Sequence, residues 1–227
     1  MEMTEDKFQG LELWPESMQV KQLFILLHGL GVQAKDLIPL AERLKEEFPQ
    51  AGFFLPDATF PFEGGGSGRQ WYSNSGVNEN NRAARVASAM PALLAMVSHA
   101  QKKFNVLQSD TALAGFSQGA IMALQFAVMH DGQVGRVLAS SGRFAELPEK
   151  APELVTLHLL HGEEDSVIPV THAHAAYERL QQIEGDVTLD VAAGVGHELH
   201  KALSERAIHR LKTSIPLRSW KQAMKSA

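Results

Sequence analysis

The chain has 227 residues, 44% of them hydrophobic, which is enough to bury one sizeable core. A formal net charge of −5 leaves no basic face to advertise nucleic acid or an anionic membrane. The absence of cysteine excludes disulfides, thiolate metal sites and a cysteine nucleophile. The opening residues MEMTEDKFQG have neither the basic nor the apolar region of a signal peptide, and Glu2 stands where myristoylation needs glycine. No run approaches the ~18 consecutive apolar residues of a membrane span. The expectation is a soluble, cytoplasmic protein.

Residues 20–28, VKQLFILLH, hold a continuous apolar run ending at Gly29, which suits a strand covered on both faces. Residues 36–48 carry apolar groups at helical spacing, with Pro39 tolerable in the first turn. A short strand follows at 52–56, stopped by Pro56. Residues 57–80, with three consecutive glycines, read as irregular. A long helical pattern covers 79–104, and Pro91 is expected to kink it or break it in two. Strands are expected at 111–116, 134–140, 154–161 and 186–192, with helices near 118–130, 169–184 and 198–213. Residues 214–227 are weakly patterned and read as a surface tail. Alternating strands and helices predict one α/β domain built on a mainly parallel, doubly wound sheet with helices on both faces.

The stretch TALAGFSQGAIMAL, residues 111–124, sets Ser117 between Gly115 and Gly119 where a strand turns into a helix. A sharp strand-to-helix turn strains the residue at its tip and brings its neighbours two positions away close together, so that only small residues fit. Ser117 is then a hydroxyl held above the carboxyl end of the sheet. A serine nucleophile needs an imidazole to take its proton and a carboxylate to orient that imidazole, in the chain order Ser, acid, His. The loop LLHGEEDSVIP (159–169) offers Glu163, Glu164 and Asp165; Asp165, deepest in the loop, is chosen, and the two glutamates read as solvated. The loop DVAAGVGHELH (190–200) offers His197, with His200 the competitor, placed in the next helix and facing elsewhere. Oxyanion donors are expected from the amide of Gln118 and, in the HGLG turn at 28–31, from the amide of Leu30. His28 is read as a brace for that turn.

With these pieces in place the chain resembles the phospholipase/carboxylesterase family of small α/β-hydrolases, which includes bacterial carboxylesterases and acyl-protein thioesterases. The resemblance covers almost the whole chain and rests on LHGLG (27–31), GRQWYS (68–73), GFSQGAIMAL (115–124), HGEEDSVIP (161–169) and Gly196–His197, in the family's order. GRQWYS and NNRAARV (80–86) bring it nearest to a bacterial branch of esterases. The resemblance implies the α/β-hydrolase fold, a Ser117–Asp165–His197 triad, oxyanion donors at Leu30 and Gln118, and Trp71 beside the acyl or alcohol pocket. The chain departs from the thioesterase pattern at SSGRFAELP (140–148), where Arg143 and Phe144 replace an apolar loop, which counts against a palmitoylated-protein substrate.

Thirteen residues between Ser141 and Glu153 are too few for a cap domain, so an open cleft is expected, roofed by the 57–80 and 141–152 loops. Trp71, Leu30, Phe144 and Phe62 are the candidates for its apolar wall. Arg69 and Arg143 are read as surface arginines, with attraction of an anionic substrate the alternative. His172, His174, His197 and His200 lack the spacing of a zinc site, and no cofactor or metal is expected. The expected activity is hydrolysis of short- to medium-chain esters or thioesters. Acyl-protein thioesterase, lysophospholipase and a non-catalytic binding relative are the alternatives. The partner is a small-molecule ester or thioester, with no nucleic acid and no stable membrane association, and the chain is expected to be a monomer or weak homodimer.

Overall fold

The computed structural model describes residues 8–17 and 19–225, so most of the N-terminal segment weighed above as a possible leader lies outside the described residues. Seven strands form one sheet: β1 (Gly10–Leu13), β2 (Gln22–Leu27), β3 (Ala51–Pro56), β6 (Thr111–Phe116), β7 (Arg136–Ser140), β8 (Thr156–Gly162) and β9 (Val187–Ala192). Their order is β1-β3-β2-β6-β7-β8-β9. β1 runs antiparallel to β3 and every other pairing in the sheet is parallel.

Both faces of the sheet are covered, and β2 shows why its sequence is a continuous apolar run. Leu23, Ile25 and Leu27 point into one core, packed with α2 (Arg82–Phe104) and α3 (Gln118–Met129); α4 (Thr171–Gln182) contributes Ala176 and Leu180 to it. Phe24 and Leu26 point into the other, beneath α1 (Ile38–Glu47) and α5 (Lys201–Thr213). A strand buried on both sides has no polar positions to alternate. With its mostly parallel sheet and flanking helices, the molecule has the α/β-hydrolase architecture.

The chain goes outward from β2 to β3 and then returns across β2 to place β6 on its other side. The loops leaving the carboxyl ends of β2 and β6 therefore diverge and open a crevice between them, where parallel α/β sheets bind ligands. The turn at residues 28–31 and Ser117 lie at these two strand ends.

Four elements differ from expectation. β1 was not foreseen, because four half-exposed residues on a sheet edge carry little pattern. The 57–80 segment holds a two-residue ribbon, β4 (Phe60–Pro61) against β5 (Arg69–Gln70), and Val32 bridges to Arg69. Helix α2 is not broken in two and runs unbroken through Pro91, which is exposed; the carbonyl of Ala87 that loses its partner is on a face that water can reach. Its buried stripe, Val86, Met90, Leu93, Val97, Ala100 and Phe104, keeps helical spacing across the proline. The expected tail contains α6 (Leu217–Lys225), begun just after Pro216 and anchored by the Leu217 amide on Asp186 at 2.8 Å.

The outer strand β9 is tied to α5 by Asp190, whose carboxylate accepts from Arg206 Nε at 2.8 Å and Arg210 Nε at 2.7 Å. Burial alone would raise this carboxyl's pKa, but the two arginines outweigh it and hold it below the ordinary aspartate value. A lowered folded-state pKa stabilises above the unfolded value, near ~3.9, and the benefit disappears as pH falls through the folded one. Asp190→Asn should therefore cost about 1–3 kcal/mol at pH 7. In urea titrations the gap from wild type should close as the pH is taken below ~4; a gap of constant size across that range would contradict this account.

Candidate active site

Ser117 sits at the tip between β6 and α3 with φ 53° and ψ −116°, a region that a residue with a Cβ adopts only under constraint. The constraint is backbone packing. A Cβ on Gly115 would fall 2.3 Å from the Gly119 carbonyl oxygen, and one on Gly119 would fall 2.1 Å from the Leu27 oxygen. Only glycine permits the helix to start this close to β2 and β6. The Ser117 amide is held by the Ser140 carbonyl at 3.0 Å.

Three side chains meet at this tip. Asp165, from the loop after β8, has no exposed side-chain surface, and its Oδ1 accepts the amides of Val167 (2.9 Å) and Ile168 (2.8 Å). This leaves Oδ2 for His197 Nδ1 at 2.7 Å, and His197 Nε2 lies 2.9 Å from Ser117 Oγ. With Nδ1–H donated to the carboxylate, Nε2 presents a lone pair to the serine hydroxyl, which donates to it. Desolvation would raise the Asp165 pKa, but the bond from His197 and the two amides prevail and keep it below its ordinary value. His161 Nε2 donates to the Ile168 carbonyl at 2.7 Å and comes within 3.3 Å of Asp165 Oδ2; burial pushes its pKa down, so it stays neutral beside the carboxylate. Glu163 and Glu164 are exposed on the same loop. His200 is not inside α5 but caps its start, its Nδ1 accepting from the Ala202 amide at 3.1 Å.

The turn after β2 closes the other side. A Cβ on Gly29 would lie 3.2 Å from the Phe116 ring and 3.5 Å from Ser117 Cβ, so this turn lies directly against the tip. The Gly31 amide is already given to the Arg69 carbonyl at 2.9 Å, so it is not a free donor of this turn. The Gln118 amide is the first of α3, with no preceding turn to accept it.

A second network binds these parts together; His28 was expected to brace its turn, whereas the Gln118 side-chain clamp was not expected. The buried Gln118 side chain accepts the Trp71 amide and donates to the Tyr72 carbonyl, both at 2.9 Å. The Trp71 indole N–H donates to the His28 carbonyl at 2.8 Å. His28 Nε2 accepts the Ala58 amide at 3.0 Å and its Nδ1 donates to the Gly29 carbonyl at 2.7 Å. Burial lowers the pKa of His28, and the neutral ring is the form that can both accept and donate. The 57–80 segment is thus fastened at Ala58 and at Trp71–Tyr72 to the two strand ends that flank the crevice.

The expected pocket residues are placed as follows. Trp71 and Phe144 are 1% and 3% exposed and belong to the buried core, so neither offers the open apolar wall expected of it. Leu30 is half-buried, and the Phe62 ring lies over Gly31, within 3.3 Å of a Cβ built there. The Arg69 guanidinium is spent on the carbonyls of Ala58 (2.9 Å) and Thr59 (3.0 Å). Arg143 forms an ion pair with Glu79. Among the described residues no group of three His, Asp or Glu side chains is placed to hold a metal, and no helix is long and apolar enough to cross a membrane.

Residues 10–215 match the family model described as phospholipase/carboxylesterase. The chain belongs to this family. It is 39% identical to the esterase YpfH of Escherichia coli over 204 residues, 90% of this chain and 88% of that protein. Among solved structures, esterase PE8 superposes with a TM-score of 0.84 at 30% identity, covering 92% of this chain and all (100%) of the other. A carboxylesterase from Mesorhizobium loti shares the fold, with a TM-score of 0.77 at 18% identity over 93% of this chain and 98% of that one. Like its family, the chain is a hydrolase of the carboxylic-ester class.

Gln118→Ala would strand two buried backbone groups, each costing about 1–3 kcal/mol. The variant is expected to lose about 2–5 kcal/mol in urea unfolding. An unchanged midpoint would mean the clamp contributes nothing.

Proposed function

We propose that this member of the family is a serine hydrolase acting through an acyl-enzyme, with Ser117 as nucleophile, His197 as general base and acid, and Asp165 as its orienting carboxylate. The observation that carries the proposal is the unbroken hydrogen-bonded chain from Asp165 through His197 to a strained serine at the crevice. In the first half-reaction Ser117 Oγ attacks the ester carbonyl while its proton passes to His197 Nε2. The negative charge gathering on the carbonyl oxygen is met by the amides of Leu30 and Gln118, each of which would contribute about 10²–10³ in rate. His197 then returns the proton to the departing alcohol, leaving an ester on Ser117. Water, deprotonated by the same imidazole, releases the acid. Asp165, fixed by two amides and unable to turn away, favours the imidazolium that forms twice in each cycle.

Among the described residues no helical cap is inserted between Ser141 and Glu153, and a cleft roofed by the 57–80 and 141–152 loops supports short- to medium-chain substrates. Leu30 and Phe62 would line the acyl path, with Trp71 and Phe144 shaping it from behind. The same machinery would open thioesters.

A fluorophosphonate probe should label the wild-type protein and leave Ser117→Ala unlabelled; equal labelling of both would end the proposal. Ser117→Ala and His197→Ala should each lower kcat/KM for a short-chain aryl ester by at least about 10⁴-fold, and the double variant should fall little further. Multiplying losses would show that the two residues do not act as a unit.

A further inference from the structure

The roof of the cleft holds a charge imbalance that the ester chemistry does not use. Arg143, in the loop after β7, forks onto Glu79, with Nη1–Oε1 at 3.0 Å and Nη2–Oε2 at 2.7 Å. Arg82, in the first turn of α2, reaches the same carboxylate at 3.2 Å. Two guanidinium groups, always charged, thus share one carboxylate. The arginine side chains are only 15% and 16% exposed, whereas that of Glu79 is 66% exposed. The Nε of Arg82 is buried with no acceptor. Among the described residues the titratable groups that face the pair, besides Glu79, are His172 and Tyr72, and neither adds negative charge. His172 Nε2 lies 3.3 Å from Arg143 Nη1, and burial first, then the arginine, lower that ring's pKa and keep it a neutral acceptor. The Tyr72 phenol is also in the field of both arginines, and burial raises its pKa, so it too stays neutral. Covered cations held by a partner standing mostly in water are incompletely compensated.

Both loops that carry the pair are fastened beside Ser117. The Tyr72 carbonyl is bonded to the Gln118 side chain, next to Ser117. The carbonyl of Ser140, three residues before Arg143, holds the Ser117 amide. Gly142 is pressed onto α3, where a Cβ would fall 2.4 Å from that of Ala120.

We propose that Arg143 and Arg82 form an anion subsite for a substrate carboxylate, and that the preferred substrates are half-esters or half-thioesters of dicarboxylic acids. In the free protein Glu79 occupies the fork; when substrate binds, its terminal carboxylate takes the bidentate position and Glu79 turns out to solvent. A planar fork suits a carboxylate in a way that a neutral acyl terminus cannot match. The proposal rests on the ester-hydrolase reading given above.

The test compares kcat/KM for 4-nitrophenyl hydrogen adipate and 4-nitrophenyl hexanoate, acyl chains of equal length that differ in the terminal carboxylate. Wild type should favour the adipate about tenfold at low salt, mainly through KM, and less at high salt. Arg143→Gln should lower the adipate-to-hexanoate ratio to near one. Glu79→Gln, which removes the competing carboxylate from an exposed position, should raise the ratio several-fold. The same ratio in all three proteins would overturn the subsite. If Arg143→Gln does not fold, the comparison of Glu79→Gln with wild type decides: a ratio that stays level or falls refutes the proposal. Hexanoate hydrolysis that depends on Ser117 without any adipate preference would sink the subsite alone. Wild type as inactive as Ser117→Ala on both esters would bring down the parent reading and the subsite with it.

Discussion

The fold is organised around one close approach, that of Gly119 in α3 to the carbonyl end of β2. A Cβ at this position would stand 2.1 Å from the Leu27 oxygen and 2.7 Å from the His28 oxygen, so the helix and the strand end touch backbone to backbone. From that contact follow the positive φ of Ser117, the placing of the Leu30 turn beside the hydroxyl, and the reach of the Gln118 side chain to the 57–80 segment. Such packing is inflexible, and the proposed chemistry needs that: oxyanion donors act only if they are already aimed when charge develops.

The second organising feature is the division of labour within Gln118 and His28. Gln118 offers its amide to the crevice and uses its side chain to hold Trp71 and Tyr72. His28 uses both ring nitrogens on backbone, and its carbonyl takes the Trp71 indole. Each residue joins a loop beside the crevice to an end of the central sheet. The long irregular segment is thereby made part of the rigid frame without much regular structure of its own.

How far the sequence could be read depended on how local the signal was. β2 and β6 were legible because strands covered on both faces are mostly apolar, and the ends of β6, β8 and β9 marked the places from which Ser117, Asp165 and His197 come within hydrogen-bonding distance. Glycines at positions 115 and 119 carried meaning because backbone packing forbids anything larger. The Gln118 clamp was not legible, since a glutamine on a helix says nothing about backbone groups 46 and 47 residues away. Pro91 did not break the helix in two, because its cost depends on which face of the helix it occupies. The Arg143–Glu79 pair spans 64 positions, with α2, β6, α3 and β7 between its members, a distance over which charge pattern alone is mute.

Trp71 has a consequence for observing the molecule at work. The three indoles occupy different surroundings: Trp14 is stacked on Phe104 with ring centres 4.2 Å apart, Trp220 is 53% exposed on α6, and Trp71 is sealed at 1% with its N–H on the His28 carbonyl. Their emission should therefore differ in colour and in access to quenchers such as iodide. The blue, quencher-resistant share belongs to the indole that joins the roof to the strand end. Following that share through a titration with an inhibitor would register strain at the crevice without any added label.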